Sequence, residues 1–158
     1  MTDDSSELTK IYFDLPNHWL HTGESLWAKP LGEDRYEIRN VPFCAYGLNW
    51  GDVVHAVAQA PELKPSARSV VSQSGYRTLR VIFSEPYDKK AQVLKLAWVE
   101  ALGAWQERYN ASMVCISVEP KGQYDEICER LARLEAEGAL EYETCEARSP
   151  GSFDDVAG

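Results

Sequence analysis

The side chains with the widest chemical reach stand early in the chain. His18-Trp19-Leu20-His21 has the H-x-x-H spacing that lets two imidazoles share a metal ion from one helical turn. Here the segment is short, lies between two predicted strands, and has no acidic third ligand at a regular spacing, so no metal is expected. His55, beside Val53, Val54 and Val57, reads as a packed or surface strand histidine. Nucleophilic catalysis needs a base and an orienting group beside the nucleophile. Ser72, Ser74 and Cys44 are present, without a Gly-x-Ser-x-Gly elbow. The glycines form neither of the two phosphate-cradling patterns, G-x-x-x-x-G-K-[ST] and G-x-G-x-x-G. The carboxylate pairs Glu33/Asp34 and Asp154/Asp155 fall in a turn and a tail, where solvation explains them. No catalytic residue and no cofactor is assigned, and an enzyme is the least favoured reading.

Two other groups invite a binding role. Tyr46, Trp50, Asp52, Tyr76, Arg77 and Arg80 flank Gly47, Gly51 and Gly75, where strands meet turns. They read as aromatic packing at a barrel rim or as a partner groove, since Trp, Tyr and Arg anchor interfaces. Trp50, Asp52, Tyr76 and Arg77 are the candidate contacts. The second group is electrostatic. Residues 119–146 carry nine acidic residues against three basic ones. A charged helix face is ordinarily just a solvated one, but such a surface also steers a basic partner and can mimic a nucleic-acid backbone. Glu126, Glu129, Arg133, Glu135 and Glu137 are the candidate contacts there.

The whole chain agrees with this polarity. Its 158 residues carry a formal net charge of −9, which argues against a phosphate-backbone binder. Aromatic residues make up 11%, too many for a solvated acidic tail. No apolar run approaches the roughly 18 residues of a membrane span. Met1-Thr2-Asp3-Asp4-Ser5-Ser6-Glu7 lacks the basic and apolar regions of a signal peptide. Cys44, Cys115, Cys128 and Cys145 form no C-x-x-C pair and read as small buried hydrophobes in a reducing compartment. The cytoplasm is the expected location, with neither nucleic acid nor membrane as a partner.

The elements that must position these groups follow from periodicity. Residues 1–7 read as disordered. Strands are predicted over Leu8–Leu15, Glu24–Pro30, Arg35–Asn40, Val53–Gln59 and Ser69–Ser72, with Leu26 and Ala28 opposite in facing to Trp27 and Lys29. Residues 8–73 therefore read as a small antiparallel sheet or open barrel. From 74 to 147 the order becomes strand, helix, strand, helix, strand: Gly75–Ser84, a helix of about 20 residues over Lys89–Tyr109, Met113–Val118, a helix from Gln123 to Gly138, and Leu140–Glu146. Asp88 caps the first helix, Leu94, Ala97, Trp98, Ala101, Leu102 and Trp105 form its stripe, and Asn110 ends it. This is an α+β chain whose second half is a ferredoxin-like α/β sandwich lacking its usual fourth strand. Residues 148–158 read as a flexible tail.

The segments Glu24-Ser25-Leu26-Trp27-Ala28, Arg39-Asn40-Val41-Pro42-Phe43 with Ala45-Tyr46-Gly47, Trp50-Gly51-Asp52-Val53-Val54, Ser74 to Val81, and Leu134 to Thr144 together resemble the bacterial family catalogued as domain of unknown function 4265. The resemblance spans residues 10–146 and carries no activity with it. Its members' character as small stand-alone proteins implies an accessory or immunity role. Size, acidity and the lack of a catalytic constellation agree. The expectation is a non-enzymatic protein-binding module that neutralises a cognate toxin domain with a basic surface. A small-ligand or regulatory ferredoxin-like domain is the alternative, and an uncharacterised enzyme the third reading.

Overall fold

A computed structural model describes residues 8–84 and 88–157. The predicted disordered start and most of the loop before Asp88 lie outside the described residues. Two compact units emerge: the chain up to Gly75 together with Glu146 onward, and Tyr76–Cys145.

In the first unit, β1 (Thr9–Asp14), β2 (Gly23–Gly32), β3 (Arg35–Ile38), β4 (Val53–Val57) and β5 (Ser66–Ser72) form a barrel. It is closed, not open: β5 returns to β1 and pairs parallel at Tyr12 and Ser66. Alternation drives each strand. Leu26 and Ala28 face the core while Trp27 is 42% exposed. Ile11, Phe13, Ile38, Leu48, Val54 and Ala56 complete the interior. The β2–β3 turn places both Glu33 and Asp34 in the left-handed region, the backbone that matches strand twist in a two-residue hairpin.

The last residues belong to this barrel. Phe153 meets Phe13 edge to face at 5.1 Å, and its carbonyl accepts the Tyr46 N–H. Asp154 is buried and accepts the Asn17 N–H. The segment expected to be a flexible tail thus carries two docked residues, Phe153 and Asp154. The segment has no periodicity because it forms no element; a few side chains dock it.

The second unit is a four-stranded antiparallel sheet in the order β7-β8-β6-β9, formed by β6 (Arg77–Phe83), β7 (Ala104–Arg108), β8 (Met113–Val118) and β9 (Leu140–Thr144). Helices α1 (Lys89–Leu96) and α2 (Tyr124–Ala136), with a 3-10 helix over Ala97–Leu102, complete it. The core joins Leu79, Val81 and Phe83 of β6 to Val114, Ile116 and Val118 of β8, with Leu96, Val99 and Leu102 and with Ile127 and Leu131 of α2.

The predicted 20-residue helix is wrong. The α-helix stops at Leu96, a 3-10 helix follows, and Gly103, at φ 82°, reverses the chain into β7. The buried positions Leu96, Val99 and Leu102 repeat every third residue, which matches three residues per turn. Leu94, placed in the core by the α-helical stripe, is 66% exposed, and Trp98 and Trp105 are half-buried. β7 is the strand that the sequence reading lacked. Asn110 ends no helix: its Oδ1 accepts the N–H groups of Ser112 and Met113 in the β7–β8 turn.

Candidate functional site

The acidic set lies where α2 turns its outer side to solvent. α2 buries Ile127 and Leu131, packs Tyr124, Cys128 and Leu134 at the core margin, and ends where Gly138 adopts φ 80°. The residues between those positions point outward. Asp125, Glu129, Arg133, Glu135 and Glu137 are exposed, whereas the exposed Glu141 of the edge strand β9 pairs with Ile82 on the sheet face away from α2. Glu126 is engaged by Arg130 at 2.7 Å, one helical turn on. Glu135 also accepts the Tyr142 N–H at 3.2 Å. Burial, and then the neighbouring Cys128 and Glu135, hold the Tyr142 phenol above its ordinary pKa.

The aromatic set divides between the two units. Asp52 is fully buried. It accepts the Ser74 N–H at 2.8 Å, the Ser74 hydroxyl at 3.1 Å and the Asn49 N–H at 2.9 Å. Burial raises its pKa, against the lowering effect of those donors. Asp52 is thus a loop latch with no surface to offer a partner, which removes it from the candidate contacts. Trp50 is half-buried, with its carbonyl accepting the Ser74 hydroxyl. In the second unit Tyr76 meets Trp105 edge to face at 5.8 Å, and Arg77 lies 3.4 Å over the Tyr124 ring. Arg80 is 2% exposed and pairs with Glu143 across the strands at 3.3 Å.

The histidine motif is explained by its loop. His18 Nδ1 accepts the N–H groups of Leu20 and His21, and the ring lies near Trp19 and Tyr46. Trp19 donates its indole N–H to the Tyr46 hydroxyl, over whose ring Arg148 lies at 4.4 Å. Among the described residues no group of three or more His, Cys, Asp or Glu side chains is placed to hold a metal ion. Glu24 likewise serves the fold, accepting the successive N–H groups of Phe43, Cys44 and Ala45 at 2.8 to 3.1 Å.

One feature has no counterpart in the sequence reading. An open groove of about 350 Å³ runs between the first helical segment and the β7–β8 hairpin. Lys89, Val93, Ala97 and Glu100 line one side, and Gln106, Arg108 and Val114 the other. The signal that could have revealed it is Gly103, whose reversal brings β7 back along α1.

The family model for the Domain of unknown function (DUF4265) matches residues 24–142. The chain belongs to this family. The DUF4265 match crosses from the barrel into β9, so it takes in both units. A crystal structure of a hypothetical protein from Neisseria gonorrhoeae superposes on this DUF4265 chain with a TM-score of 0.73 and 17% identity, covering 88% of this chain and 94% of that one. At that identity the likeness is one of fold. No curated protein matches the sequence.

Proposed function

We propose that this DUF4265 protein is a non-enzymatic binding module that docks a protein partner with a basic surface, and that the partner is a toxin domain neutralised by occlusion. The carrying observation is the exposed row Asp125, Glu129, Glu135 and Glu137 of α2, with Arg133 as its exposed counter-charge. Such a row accelerates encounter with a basic patch and rejects acidic surfaces. Half-buried Trp50 of the barrel, and Tyr76 and Arg77 of the second unit, are the secondary contacts. Cys44, Cys115 and Cys145 are buried, which supports their role as small packed hydrophobes in a reducing compartment such as the cytoplasm. No helix among the described residues is long and apolar enough to cross a membrane.

The test is affinity capture from the native host, with mass spectrometry. A single stoichiometric basic partner, released by salt, supports the reading. Absence of any such partner, with turnover of a small molecule by the purified protein, overturns it.

A second reading has its own observation. The order β6, α1, β7, β8, α2, β9 with sheet order β7-β8-β6-β9 supports a ferredoxin-like description of the second unit, with β7 as the strand the sequence reading lacked. The groove beside α1 then favours a small-ligand or regulatory domain.

A further inference from the structure

Helix α1 is built the wrong way round for a helix that only covers a sheet. It buries Gln92, 4% exposed, while Val93 and Leu94 are 41% and 66% exposed. A buried amide beside exposed aliphatic side chains is the informative departure from ordinary burial. Its charges are also unusual. Lys89 and Lys90 occupy the first turn, which has no acidic residue, at the positive end of the helix dipole. Asp88 caps this turn by accepting the Ala91 N–H, and of the exposed residues Lys89 and Val93 line the groove beside the helix, which sets a cation next to apolar surface.

The groove has the parts for such a ligand. Val93, Ala97 and Val114 give it apolar surface. Gly103 reverses the chain, so β7 runs back along the helical segment. Arg108, at the far end of β7, therefore lies toward Lys89, and Glu100 lies toward the reversal. Lys89 makes no ion pair among the described residues. Arg108 is held in place by donating Nη1 to the carbonyls of Asn110 at 2.9 Å and Ala111 at 3.4 Å. Its Nη2 is buried and has no acceptor among the described residues, so Arg108 acts on a ligand in the groove chiefly through its charge. Gln106 donates to the Val93 carbonyl at 3.4 Å, which ties strand to helix along the groove.

We propose that the groove between α1 and the β7–β8 hairpin binds a small monocarboxylate with an aliphatic body, its carboxylate at Lys89 and Arg108 and its chain along Val93, Ala97 and Val114. This rests on the small-ligand reading and adds to it the site and the chemical class. Glu100 at the opposite end disfavours a second negative group, which selects monoacids over diacids.

The experiment is a titration of the full chain, monitored by amide chemical shifts, with octanoate, octanol and octylammonium, each below its aggregation concentration. Octanoate should shift the amides of residues 89–114 and bind at least 10-fold more tightly than either other probe. Lys89→Gln should weaken octanoate at least 10-fold. Ala97→Phe, which fills the groove, should abolish binding, with the fold of both variants checked by circular dichroism and a thermal melt. No binding by any of the three probes overturns the aliphatic monocarboxylate site, whereas octanol binding at residues 89–114 as tightly as octanoate overturns the carboxylate assignment and keeps the small-ligand reading. Equal binding of octylammonium overturns the carboxylate assignment alone, and octanoate binding that survives Ala97→Phe in a folded protein overturns the location.

Discussion

The barrel and the sheet unit solve the same folding problem with different materials. In the barrel, polar side chains hold the irregular backbone: Glu24 gathers three consecutive N–H groups, Asp52 ties Ser74 to Asn49, and Asp154 takes the Asn17 N–H. Its chemically conspicuous residues, His18 and Tyr46 included, are engaged in loop structure. In the sheet unit, apolar periodicity does the holding, and the exposed carboxylates of α2 and the lysines of α1 face solvent. A residue's type therefore says little about its availability. Where long loops need donors satisfied, acids and histidines are drawn inward; where regular elements satisfy their own backbone, charge stays at the surface.

The contrast can be broken most forcefully at the cores. Leu131→Ala and Leu96→Ala should each cost about 2–5 kcal/mol, because both side chains are buried among β-sheet neighbours. Leu94→Ala should stay within about 0.5 kcal/mol. Chemical denaturation checks the triplet, and a large loss at Leu94 would restore the continuous α-helix. Next comes the barrel's polar scaffold. Glu24→Ala should destabilise by about 3 kcal/mol, since three N–H groups lose a charged acceptor together. A near-neutral denaturation midpoint would make the cradle incidental.

These variants also show what was legible in the sequence. Alternation at Leu26 and Ala28, the unbroken apolar run of β8, and the Ile127–Leu131 stripe are strong periodic signals, and each element stands where its pattern predicts. β7 was hidden because Leu94, Ala97, Trp98, Ala101 and Leu102 imitate an α-helical stripe, while the real core positions repeat at three. The docked tail was hidden because Phe153 depends on Phe13, far away in sequence. Within the candidate sites, exposure at Glu129, Glu135 and Glu137 follows from the apolar stripe, but burial of Asp52 does not follow from any local pattern. The groove depends on Gly103 and on a helix that buries glutamine, which binary patterning reads as noise.

A smaller effect sharpens the account of Asp52. Replacing it with Asn should cost about 2 kcal/mol near neutral pH, because the amide offers Asn49 a donor where an acceptor is needed. The raised folded pKa means that the native state binds this proton more tightly than the unfolded chain does. Stability then falls as pH rises from the unfolded value through the folded one, so the wild-type advantage over Asp52→Asn should grow on acidification through that window. Melts at a series of pH values read the slope; a shrinking advantage contradicts burial as the dominant cause. The smallest stability effect belongs to Glu129→Lys, Glu135→Lys and Glu137→Lys combined, about 1 kcal/mol or less, since all three are exposed.

That triple variant gives the most direct test of where the molecule binds. Captured side by side from host lysate at low and moderate salt, the wild type and Trp19→Ala, altered in the barrel loop, should retain the same basic partner in stoichiometric amount. The triple reversal, still folded, should lose it, and for the wild type added salt should slow association more than it speeds release. Retention by the triple reversal together with loss by Trp19→Ala would contradict the account and place the interface on the barrel.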